Sequence, residues 1–117
     1  MNFSDAVQTC VRKYAEFNGR ASRPEYWWFT LFVVLVGTLL GFVSSLLSWL
    51  FYLGMLVPSV AAASRRLHDT SRSGWWQLIG LVPLVGWIVM IVFLAQESQA
   101  GANEHGPAPS DAAPAAG

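Results

Sequence analysis

The sequence predicts an all-α integral membrane protein, with three transmembrane helices behind an amphipathic interfacial helix. Three observations carry this. Charged residues make up only 12% of the 117 positions and apolar ones 54%, against roughly 25% charged in an ordinary soluble domain. The charges are segregated, since neither residues 26–64 nor residues 73–96 contain one charged side chain. Arginine-rich clusters flank these stretches, with Arg12, Lys13, Arg20 and Arg23 before the first and Arg65, Arg66 and Arg72 between the two. The balance of seven basic and seven acidic residues excludes the polybasic footprint of a nucleic-acid binder. The single cysteine, Cys10, excludes an intrachain disulfide framework and a cysteine-based zinc site.

Residues 1–18 read as the amphipathic helix. Phe3, Ala6, Val7, Cys10, Val11, Tyr14 and Phe17 recur at helical spacing, with Asp5, Gln8, Arg12, Lys13 and Glu16 opposite them. Asn18-Gly19 supplies its stop. The helix lies either in the cytoplasmic interface or on the protein's own cytoplasmic loop. Residues 19–96 form the membrane domain. A span takes about 20 apolar residues to cross roughly 30 Å of hydrocarbon. Residues 26–64 as one straight helix would reach about 60 Å, so they divide into two spans, 26–43 and 49–64, turning at Ser44, Ser45 and Ser48. Residues 75–95 are the third span. The first apolar run, which begins only at residue 26, starts too late and is too long for a signal-peptide core.

Charge gives an independent check. Lys and Arg favour the cytoplasmic side, and both basic clusters share that side only if an even number of crossings separates them. The N-terminus is therefore expected in the cytoplasm. A third crossing then places the tail, residues 97–117, outside, with disorder from about residue 107, where Ala and Pro dominate.

Two motifs carry the candidate functional residues. Arg65–Trp76, RRLHDTSRSGWW, packs Arg65, Arg66, His68, Asp69, Arg72 and Ser73 beside a membrane. It reads either as an anionic headgroup site, because arginine donates to phosphate in bidentate fashion, or as a positive-inside anchor with Asp69 paired to a neighbouring Arg. Gly19–Trp28, GRASRPEYWW, places Arg20, Arg23 and Glu25 outside the first span. Glu25 is the natural partner of an arginine in the other motif, and Ser22 or Arg23 caps the helix with Pro24 at its first turn. Trp27, Trp28, Trp75 and Trp76 are interfacial anchors.

Catalysis finds little support. His68 and Asp69 are adjacent and project apart on a helix, His68 and His105 are too few for a metal site, and no phosphate loop or dinucleotide fingerprint is present. No cofactor is expected. Gly37 and Gly41 form a GxxxG pattern that permits close helix approach and homo-oligomerisation.

The segments FNGRASRPEYWWFTLF, PSVAAASRRLHDTSRSGWW, LVPLVG and GANEHGPAP together resemble the domain-of-unknown-function 805 family of small bacterial inner-membrane proteins. The resemblance covers about residues 11–109. It implies a bacterial cytoplasmic-membrane location. Carried over, the family positions are Gly19, Arg20, Arg23, Glu25, Trp27, Pro58, Arg65, Arg66, His68, Asp69, Ser73, Gly74, Trp75, Pro83, Gly86, Asn103, Gly106 and Pro107. His105 departs from the family's usual Tyr before Gly-Pro. The resulting expectation is a non-enzymatic inner-membrane protein whose cytoplasmic Arg/His/Asp surface binds anionic lipid headgroups or a protein partner. The alternative is an oligomeric channel or transporter component for a small solute or ion.

Overall fold

The computed structural model describes residues 2–109. It is all-helical: α1 (Phe3–Arg12), α2 (Arg23–Val43), α3 (Ser45–His68), a 3-10 helix (Gly74–Leu81) and α4 (Val85–Leu94). Each of the first three helices starts where a short polar side chain satisfies an orphan backbone donor. Asn2 Oδ1 accepts from Asp5 N at 2.8 Å, Ser22 Oγ from Glu25 N at 3.3 Å and Ser44 Oγ from Leu47 N at 3.4 Å. Ser22 is thus the cap of α2, with Pro24 in its first turn.

The first two spans are present as helices long and apolar enough to cross a membrane. At 1.5 Å per residue, α2 is about 31 Å long and α3 about 36 Å. The turn between them is tighter than expected. Ser44 alone breaks the helix, ending α2 and capping α3, so the second helix begins at Ser45 and runs on through both arginines to His68. Only 17% and 22% of the apolar windows of these helices are buried. Leu35, Phe42, Trp49, Leu53 and Leu56 are between 48% and 83% exposed, far beyond what a soluble core helix shows.

Gly37 lies against Tyr52 of α3, so closely that a Cβ would sit 2.2 Å from the ring. Ser48 Oγ donates to Gly37 O at 2.8 Å, and Gly41 faces Ser48. Within the chain, the GxxxG pair is used in the α2–α3 contact.

α1 stops at Arg12, short of Asn18, so Tyr14 and Phe17 lie in the following loop. Its apolar face crosses α2 and α3 at the level of Phe29, Phe32 and Ala62: Cys10 is fully buried with Phe29 and Ala62, and Phe3 meets Trp28 edgewise and Phe32 at a tilt.

The third segment departs most from expectation. Residues 75–95 are two antiparallel arms, not one spanning helix. Pro83 lacks an amide proton, Leu84 takes φ +66°, and Gly86 lets Ile79 O approach to 1.8 Å from where a Cβ would stand. These reverse the chain instead of bending it. Trp76 in the first arm consequently meets Phe93 in the second, with ring centroids 5.4 Å apart. The tail follows the hairpin back. Gln99 N donates to Asp69 O at 3.0 Å, placing residues 99–106 at the same end of the bundle as both arginine clusters. A tail at the opposite end is therefore not what the structure builds. The expected disorder beyond residue 107 falls mainly on residues 110–117, outside the described residues.

Candidate functional site

The arginine end of the bundle is an interior network. Arg65, Arg66 and Asp69 are 0% exposed, Glu25 4% and Arg20 7%. Buried charges persist only when paired and hydrogen-bonded; each arginine here is paired with a carboxylate, and Arg65 Nη2 is a buried donor left without a hydrogen-bond partner among the described residues. Asp69 divides its carboxylate, with Oδ1 accepting from Arg20 Nε at 2.9 Å and Oδ2 from Arg66 Nη1 at 2.8 Å. Glu25 accepts from Arg65 Nη1, the link expected between the two motifs. It ties the start of α2 to the end of α3.

Three arginines exceed two carboxylates by one charge, and backbone carbonyl dipoles offset the excess. Arg20 donates to the carbonyls of Gly101 and Gln99, both at 2.6 Å, and to Gly106 at 3.2 Å. Arg66 donates to Leu94 O at 2.9 Å and to Gln96 O. The α2–α3 pair, the end of the hairpin and the tail are thus fastened together through two guanidinium groups. Arg65 Nε adds Glu16 O at 3.1 Å. Cys10 lies beside this network. Burial and the neighbouring Glu25 push its thiol up from an ordinary 9.0 to about 11, so it stays protonated and unreactive at neutral pH.

The remaining predicted residues take different places. His68 Nδ1 donates to Gly19 O at 3.0 Å, a carbonyl presented by Gly19 at φ +91°, and its ring stacks on His105 at 3.8 Å. Position 105 therefore stacks on the protein's own histidine. Asn103 and Gly106 close a tight turn on each other, and Asn103 Nδ2 donates to His68 O at 3.0 Å. Arg72 is half-buried, bonded to Gln96 Oε1 at 2.7 Å and lying over the Phe93 ring at 4.1 Å. Ser73 caps the 3-10 helix. Trp27 donates to Leu94 O at 3.1 Å and is a packing residue, whereas Trp28, Trp75 and Trp76 are exposed.

Of the residues expected to form a surface, Arg20, Arg65, Arg66, Asp69 and Glu25 are inside. Arg23 faces outward, its hydrogen bond a 3.4 Å contact to Ala95 O. Sequence reasoning missed the tail carbonyls that hold Arg20, because backbone acceptors leave no mark in residue type. A cleft of about 620 Å³ opens beside the network, lined by Phe17, Val60, Leu78 and Leu81 with Ser64, His68 and Gln77.

The buried arginine–carboxylate network uses the residues on which the resemblance rested. Residues 14–107 match the family described as protein of unknown function DUF805. The chain belongs to that family. Among the DUF805 chain's relatives, the inner membrane protein YhaI of Escherichia coli K12 is 42% identical over 106 residues, covering 85% of this chain and 90% of YhaI. The inner membrane protein YhaH of the same organism is 37% identical over 110 residues, covering 85% of this chain and 91% of YhaH. No solved structure matches. With two helices among the described residues long and apolar enough to cross a membrane, and with inner-membrane relatives, this all-helical chain is a membrane protein of the DUF805 family.

Proposed function

We propose that this is a non-enzymatic protein of the bacterial inner membrane that holds anionic phospholipid headgroups at its cytoplasmic end through the basic groups its buried network leaves outside. Arg23 is the principal group, with Arg12 and Lys13 contributing charge. The spanning body is α2 and α3, and α1 lies in the cytoplasmic interface. Positive-inside bias supports the orientation, since Arg20, Arg23, Arg65, Arg66 and Arg72 all sit at one end. The observation that carries the reading is the contrast among these arginines. Arg20, Arg65 and Arg66 are committed to interior acceptors, whereas Arg23 is exposed with a single long hydrogen bond. It stands in the first turn of α2, where the helix dipole also favours an anion, three residues beyond Arg20. Its planar fork matches a phosphate.

The test is a melting series of the purified protein in phosphatidylcholine nanodiscs with rising phosphatidylglycerol or cardiolipin. Acidic lipid should raise Tm by mass action, equivalent to about 2.7 kcal/mol at a hundredfold excess over Kd. Arg23→Gln should lose most of the shift, and Arg23→Lys should keep only the part that charge alone supplies. An unchanged Tm across the wild-type series would remove headgroup binding. Identical shifts in wild type and Arg23→Gln would remove Arg23 from it.

A further inference from the structure

We infer that residues 73–96 form a re-entrant hairpin that inserts into the cytoplasmic leaflet and returns, so that the C-terminal tail shares the cytoplasmic side with the arginine network. The inference rests on the two-span reading above, and its partner is the acyl region of one leaflet.

Length comes first. The 3-10 arm of eight residues rises about 16 Å at 2.0 Å per residue, and α4, with ten residues, about 15 Å. The arms are equal, and each matches half of a hydrocarbon core of roughly 30 Å. Closure comes second. The hairpin's entrance and exit are bonded to each other through Arg72 and Gln96, and Arg66 of α3 holds Leu94 O and Gln96 O. A crossing segment would separate those ends by the whole membrane.

The tip supplies the third argument. Leu81, Leu84 and Val85 are 61–80% exposed, and no charge lies anywhere from Ser73 to Gln96, which suits lipid and suits water poorly. Irregular backbone is costly in hydrocarbon unless its polar groups are satisfied. Here Val82 N donates to Ile79 O and Gly86 N to Val82 O, both at 3.0 Å, Val85 N donates to Pro83 O at 2.8 Å, and Pro83 has no donor. The Trp87 indole covers Gly80 O at 3.0 Å. The turn carries its own hydrogen bonds into the leaflet.

Single cysteines on a Cys10→Ser background of the full chain test this. Asn18→Cys marks the arginine end, Leu46→Cys the opposite turn and Ala102→Cys the tail; each is labelled with a membrane-impermeant maleimide in spheroplasts and in inverted vesicles. Positions 18 and 102 should label only in inverted vesicles and position 46 only in spheroplasts. A spin label at Val82→Cys, or at Leu81→Cys should the first variant fold poorly, should relax strongly with oxygen and hardly at all with a polar nickel chelate. Labelling of 18 and 102 from opposite faces would overturn the hairpin while leaving the two-span body intact. Chelate access at the tip would remove it from the leaflet. Labelling of 18 and 46 from one face would overturn the two-span reading and this inference with it.

Discussion

At the scale of the residue, the decisive fact is that carboxylates are scarcer than arginines in a dry interior. Asp69 accepts from two guanidinium groups, one on each oxygen, and Glu25 from a third. Removing one partner of a buried pair leaves an uncompensated charge, at a cost of about 3–5 kcal/mol. Glu25→Gln should therefore lower the melting temperature in detergent far more than Glu16→Gln, which alters an exposed side chain. Equal melting of the two variants would mean that the Glu25–Arg65 pair contributes nothing. That pair was legible from sequence because two opposite charges at the ends of adjacent spans must meet. The separate fates of Arg20 and Arg23 were not legible, since three positions in a loop define no face. What turns Arg20 inward is a set of backbone carbonyls far along the chain.

At the scale of the element, α2 and α3 follow from apolar length and serine caps, and sequence located both within a few residues. The hairpin did not follow, because hydropathy is blind to direction. Twenty apolar residues satisfy the same length rule whether they cross or return. The marks were Pro83 and Gly86, which a kinked helix would also have accounted for. Gly86 distinguishes the two geometries. A Cβ there would meet the Ile79 carbonyl at 1.8 Å, and backbone in a tight turn has nowhere to move. Gly86→Ala should thus cost at least the roughly 1–3 kcal/mol of an overpacked core. Gly80→Ala, with nothing within 4 Å of its Cβ, should be nearly silent. Thermal melts of the two variants that coincide would contradict the hairpin's packing.

At the scale of the whole molecule, the fold is two helices long and apolar enough to cross a membrane, whose arginine end is closed by the hairpin and the tail through residue 106. The tail is part of that closure, which makes it a structural element despite its polar, irregular sequence. A chain ended after Ser98 loses the carbonyls of Gln99, Gly101 and Gly106 that receive Arg20, and it should melt well below the full-length protein. The penalty should shrink in an Arg20→Gln background, because both changes break one network and such pairs are not additive. Full additivity in differential scanning fluorimetry would show that the tail and Arg20 act separately. The span of this clamp also sets an order in time. Arg20 meets Gly106 across 86 positions, so its last acceptors are synthesised after both long helices. Until then Arg20 lacks the carbonyls of Gln99, Gly101 and Gly106, although Asp69 is already in place to pair with it. In the orientation proposed above, the same guanidinium groups serve twice, first in water as the charge that orients the helices, then in the dry interior as the fastening that stops them from reorienting.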